Sequence, residues 1–144
     1  MSPTTRQEQG EQAAQRWNTA HPIGTQVIAY PVTRDDAPLY TWTRSRAWTL
    51  GHGDPVVTVE GYTGGICLTH IDTVDGWVLT SRNYLAIEAA IDRDGTFTKQ
   101  YTRSVDGRIA TVGMRIGEKP GHVVAFFGDT IVRRRSGIYT VRRP

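Results

Sequence analysis

The chain has 144 residues, enough for one compact domain of ordinary size or for two very small units sharing a core. Hydrophobic content of 38%, with four Trp and six Tyr, can supply a packed core, and no apolar run approaches the ~20 residues that a membrane span requires. Cys67 is the single cysteine, which excludes an intrachain disulfide and a cysteine-cluster metal site; the net charge of +3 divides into −3 over residues 1–75 and +6 over residues 76–144. Met1–Gln15 is polar and lacks an apolar secretion segment, so the expected location is the cytoplasm, with no membrane partner.

In chain order, Thr5 can cap a short helix that runs through Trp17, with Glu8 three residues after the cap. Gly10 weakens this helix, while Ala13, Ala14 and Trp17 form one apolar stripe that predicts docking on a sheet. His21-Pro22 ends it. From Ile23 the period changes to two. Thr25–Tyr30 reads as a strand, Pro31–Pro38 as a loop, and Tyr40–Leu50 as a long alternating strand. Gly51–Pro55 is a turn, Val56–Glu60 a third strand, Gly61–Gly65 another turn, and Ile66–Ile71 a fourth strand. Short strands at this spacing predict a small barrel or an open sandwich.

The second half opens with Trp77–Thr80 as a short strand. Ser81–Ile91 could be a helix or a strand, and the propensities of Ala86, Glu88 and Ala90 favour a helix. Asp94-Gly95 and Asp106-Gly107 predict hairpin turns joining Ile91, Phe97–Val105 and Arg108–Ile116. Pro120-Gly121 is the next break. In the last fifteen residues, Thr130–Pro144, five arginines stand with no carboxylate. With Ser136-Gly137 as a two-residue turn, Arg135 would face Ile138, Arg134 Tyr139, Arg133 Thr140 and Val132 Val141, dividing the charge between two faces.

Three blocks, Gly24-Thr-Gln-Val27, Thr43–Gly53 and Val59–Ile71, resemble a family of small uncharacterised proteins of actinobacteria, their phages and integrating elements. The likeness spans about Trp17–Ile71. It implies an SH3-like small barrel and a mobile-element setting, and brings no activity. Tyr84–Ala90, Pro120–Arg133 and Gly137–Val141 are similar to another uncharacterised phage protein family, over about Tyr84–Val141; Tyr84–Ala90 resembles its opening strand, which makes a strand the preferred reading of Ser81–Ile91. Those likenesses imply a viral protein acting in the cytosol of its host.

Among residues that could carry chemistry, His52 with Asp54 and His70 with Asp72 are His-x-Asp pairs, but neither has a third ligand at a characteristic spacing. Turn and strand-end roles account for both pairs. Cys67 lies between Ile66 and Leu68 as a small core hydrophobe, and no serine has a nucleophile-elbow setting. Gly61–Gly65 lacks the Gly-Lys-Ser/Thr ending of a phosphate loop. No catalytic residue, metal or cofactor is therefore expected.

The expected fold is mainly β: an N-terminal tail and helix over residues 1–19, an SH3-like small barrel over 20–75, and a hairpin-rich second β unit over 76–144. The expected function is non-enzymatic binding of a phosphate-bearing partner, most simply nucleic acid. Its candidate residues are Arg133, Arg134, Arg135 and Tyr139 on the terminal hairpin, with Trp42, Arg44, Arg46 and Tyr62 in the first unit as a base-stacking surface. The alternatives are a phage counter-defence protein that sequesters a nucleotide or blocks a host protein, and a small hydrolase or lyase using His52 or His70.

Overall fold

A computed structural model describes residues 5–144; residues 1–4 of the expected N-terminal tail lie outside the described residues. The chain is mainly β, 36% strand and 20% helix, and divides into two compact units, Met1–Thr73 and Val74–Pro144. Among the described residues four three-stranded sheets are formed, and none closes on itself.

In the first unit, α1 (Arg6–Ala20) starts where the Thr5 hydroxyl accepts a hydrogen bond from the Glu8 amide at 3.1 Å. Its buried side carries Gly10 and Ala14, and Trp17 packs on the core beside them. Gly10 is a close-approach position rather than a defect, since a Cβ there would lie 1.8 Å from the carbonyl oxygen of Gly53. One sheet places β1 (Gln26–Ala29) between β2 (Leu39–Trp42) and β6 (Ile71–Thr73), with Ile28 opposite both Tyr40 and Asp72. The other orders β3 (Trp48–Thr49), β4 (Pro55–Val57) and β5 (Ile66–Cys67) side by side. An isolated antiparallel bridge joins Thr43, just after β2, to Val59, just after β4. Ala14, Val27, Ala29, Val57, Ile66 and Ile71 are among the residues of the core cluster these elements enclose.

Two expected strands of this unit are broken. Tyr40–Leu50 becomes β2 and β3 because Asn18 of α1 takes both backbone groups of Ala47: its Oδ1 accepts from the Ala47 amide at 2.7 Å and its Nδ2 donates to the carbonyl at 3.0 Å. A residue bound this way on both sides leaves its strand ladder. Ile66–Ile71 is likewise split, by a 3₁₀ turn at Leu68–His70.

The second unit begins with β7 (Trp77–Val78) and α2 (Tyr84–Arg93). The strand preferred for Ser81–Ile91 is thus a helix. Ile87, Ala90 and Ile91 are its buried residues, an i, i+3, i+4 stripe that agrees with the helix propensities of Ala86, Glu88 and Ala90 and not with the family resemblance. Asp94 caps this helix at its C-terminus, so Asp94-Gly95 ends a helix and does not turn a hairpin. β8 (Thr98–Val105), β9 (Arg108–Ile116) and β10 (Val123–Phe126) form one sheet with β9 central, and β7, β11 (Thr130–Arg133) and β12 (Tyr139–Arg142) form the other with β11 central. Trp77, Leu79, Ile87, Ile91, Met114, Ala125 and Ile131 are fully buried.

The terminal hairpin is one residue out of the expected register. Arg133 opposes Tyr139, Val132 opposes Thr140 and Ile131 opposes Val141. The Arg134 amide donates to the Ile138 carbonyl and the Gly137 amide to the Arg134 carbonyl, each at 2.8 Å, so three residues rather than two make the loop. Gly137 stands at φ +86°, the left-handed position that such a bulged loop requires. The slip brings Arg133 opposite Tyr139, on the face that Arg133 shares with Ile131.

Candidate functional site

The corrected register decides what the terminal arginines can do. Arg133 donates to Asp94 through Nε at 2.8 Å and through a second guanidinium nitrogen at 3.1 Å, and the Tyr139 hydroxyl donates to the same carboxylate at 2.8 Å. The side chains of Arg133 and Asp94 are 7% and 13% exposed, so this is a buried, bidentate pair. Burial first, then the Asp94 carboxylate, holds the Tyr139 phenol above its ordinary pKa. For Arg133, burial opposes the charge, but the hydrogen bond and charge of Asp94 outweigh it and raise the pKa. Arg133 and Tyr139 therefore tie the hairpin to the end of α2. Arg134 and Arg135 stay exposed at the tip. At the base Arg143 pairs with Asp129, a carboxylate that also accepts from the Phe126 amide at 2.8 Å.

The first-unit candidates are also engaged. Trp42 is buried at 6% exposure, and Tyr62 is half-buried against the core cluster. Arg44 donates to the carbonyls of Val59 at 3.0 Å and Tyr62 at 3.2 Å, clamping the turn after β4, while Arg46 is exposed in the segment between β2 and β3. No open aromatic shelf results from this set.

A different face of the second unit gathers cations that the sequence did not single out. Opposed residues share a face in a sheet, and the pairings across β8, β9 and β10 line up Lys99, Arg115 and Val124 in one row and Tyr101, Gly113 and Phe126 in the next. The other face carries Met114, Ile116 and Ala125 into the core. Gly113 has no side chain, and the Tyr101 and Phe126 rings meet edge-on across it, with centroids 5.4 Å apart. The Arg103 guanidinium lies 4.9 Å from the Phe126 ring centre and that of Arg143 lies 5.4 Å from it. A groove of about 500 Å³ runs along this face; Lys99, Tyr101, Arg115, Lys119, His122 and Val124 line it, and no carboxylate does.

Two features make this groove receptive to an anion. Lys99 and Arg115 are directly opposed like charges, an arrangement that destabilises a sheet. Among the described residues, Nε of Arg115 and Nδ1 of His122 are buried and make no hydrogen bond. A buried polar group left this way costs on the order of 1–3 kcal/mol. Arg115 has partial compensation from the Phe97 ring, 5.5 Å from its guanidinium.

The sequence carries half of this arrangement. Lys99, Tyr101 and Arg103 alternate visibly on one side of a strand. A regular two-residue turn at Asp106-Gly107 would, however, set Lys99 opposite Met114 and turn Arg115 to the other face. A register shift at Tyr101/Thr102 adds one residue to β9 and brings Arg115 opposite Lys99.

The histidine pairs form no catalytic constellation. His52 Nε2 lies 2.8 Å from Asp54, which is also held by Arg6 at 2.8 Å, on an open surface. The Arg6 hydrogen bond, opposed by burial and aided by the charges of Arg6 and His52, keeps the Asp54 carboxyl below its ordinary pKa. Asp72 pairs with Arg34 at 2.9 Å. Among the described residues no group of three His, Cys, Asp or Glu side chains could hold a metal ion, and no helix is long and apolar enough to cross a membrane. Comparison with protein families, with characterised proteins and with solved structures finds no match to this chain.

Proposed function

We propose that the chain is a non-enzymatic binding protein that engages a phosphate-bearing partner, most simply nucleic acid, through the solvent face of β8, β9 and β10. The observation that carries this reading is the convergence of Lys99, Arg115, Lys119 and His122 on one groove without a lining carboxylate. Arg103 extends the positive face along β8, and Arg134 and Arg135 at the hairpin tip are free to add peripheral attraction. The phage or mobile-element setting rests on the block resemblances over residues 17–71 and 84–141. The SH3-like reading of the first unit draws on its two small sheets and the isolated Thr43–Val59 bridge.

Titration of fluorescent DNA and RNA oligomers at low and high salt tests the function. Each phosphate neutralised adds about −0.7 to −0.9 to the log–log salt slope, so affinity should fall as salt rises. A chain that binds no oligomer at low salt, or binds with no salt dependence, overturns the proposal.

A second reading is favoured by the size of the groove. Its volume of about 500 Å³ falls within the ~300–1,000 Å³ of small-molecule sites, which suits sequestration of a nucleotide by a counter-defence protein. Mass spectrometry of ligand released from the purified protein separates the two: a stoichiometric nucleotide favours sequestration, and an empty protein with salt-dependent oligomer binding favours the polymer.

A further inference from the structure

Resting on the nucleic-acid reading, we infer that the groove takes a single strand and not a duplex. A backbone phosphate seats among Lys99, Arg115 and Lys119 with His122 at its edge, and a neighbouring unstacked base lies against Tyr101 and the Arg103 guanidinium.

The shape of the site argues for this. Proteins that read duplex DNA through its major groove insert a helix or a two-stranded ribbon into it. Here the cations instead line a concavity on the three-stranded part of the sheet, whose opposite face is core at Met114, Ile116 and Ala125, while Gln100, Thr102 and Ser104 of β8 are exposed on that side. The aromatic content argues the same way. The row holding Tyr101 and Phe126 lies next to the row holding Lys99 and Arg115, so a ring stands one residue pair from the opposed charges. A base inside a duplex has both π faces covered by its neighbours, whereas a single strand offers them to rings and guanidinium planes. Arg103 lies 6.0 Å from the Tyr101 ring centre and 4.9 Å from that of Phe126, and its own side chain is exposed. Its guanidinium is thus backed by aromatic rings and open toward the solvent for a stacking partner.

The unbonded nitrogens set the phosphate end. Nε of Arg115 and Nδ1 of His122 are the buried donors or acceptors that the groove leaves without hydrogen bonds. Phosphate oxygens are acceptors only, and both nitrogens can donate to them, His122 in the tautomer or charge state that protonates Nδ1. Lys99 and Lys119 are exposed and supply mobile charge at the rim.

Fluorescence anisotropy of the full chain with dT12, rU12 and a hairpin duplex of matched phosphate number tests the inference. Binding of dT12 or rU12 at least tenfold tighter than the duplex is expected. Tyr101→Leu should lower single-strand affinity about tenfold and leave duplex affinity unchanged, with Tyr101→Phe restoring it. Lys99→Glu with Lys119→Glu, both at exposed positions, should weaken every oligomer alike. Duplex binding equal to or tighter than single-strand binding overturns the inference while leaving the phosphate-binding function standing. Retained single-strand affinity in a folded Tyr101→Leu protein also overturns it. Absence of salt-dependent binding to all three probes removes both readings together.

Discussion

The β11–β12 hairpin and the β8–β9–β10 face both belong to the positively charged second unit, and they use arginine in opposite ways. On the hairpin, Arg133 is enclosed with Asp94 and Tyr139, and its charge holds two parts of the unit together. On the sheet face, Lys99 and Arg115 confront each other with no lining carboxylate between them. Density of arginine along a sequence therefore locates charge but not availability. Availability depends on whether the fold has already supplied the counter-charge.

The largest effect should come from breaking the hairpin side of this contrast. Asp94→Ala takes the carboxylate from a buried guanidinium and the acceptor from Tyr139, and should destabilise the second unit by about 3–5 kcal/mol in chemical denaturation. A loss below about 1 kcal/mol would return Arg133 to the pool of available charges and undo the comparison. A smaller effect is expected at the hairpin tip. Arg134→Ala with Arg135→Ala should leave stability within about 0.5 kcal/mol and weaken oligomer binding less than Lys99→Glu with Lys119→Glu does. The reverse order would move the site to the tip.

The smallest effect concerns an exposed pair in the first unit, where charges are neither enclosed nor unopposed. Because the folded-state pKa of Asp54 lies below its unfolded value, its ion pair with Arg6 contributes above about pH 4 and fades as the pH falls through the lowered value. Stability curves of the wild type and Asp54→Asn should separate slightly at neutral pH and converge in acid. Divergence in acid would contradict that sign.

How much was legible follows from the range of the interactions. The helix at Arg6–Ala20 and its Thr5 cap are local, as is the turn at Asp106-Gly107, and each can be read from a few adjacent residues. The Tyr84–Arg93 helix was legible in the propensities of Ala86, Glu88 and Ala90 and in the stripe at Ile87, Ala90 and Ile91, against which stood only a resemblance to a strand elsewhere. Asn18 breaking the strand at Ala47 acts from 29 positions away, and Asp94 reaches Arg133 across 39, so neither has a local signature. For the candidate site, the alternation of Lys99, Tyr101 and Arg103 was visible, but the bulge that recruits Arg115 was not. The terminal arginines drew attention because they are consecutive, and consecutive residues in a strand point to alternate faces.

β8 is an edge strand, with β9 between it and β10. Lysine and arginine on an edge keep sheets of separate molecules from joining, so Lys99 and Arg103 would be useful to the chain even if it bound nothing. Arg115 has no such second employment. It stands on the central strand, where neighbours on both sides already satisfy the ladder and no aggregation needs to be prevented. If descendants of this chain lost the ligand, the edge cations would be kept for solubility while position 115 drifted to a neutral residue. Arg115 is thus the position at which binding and mere good behaviour make different demands.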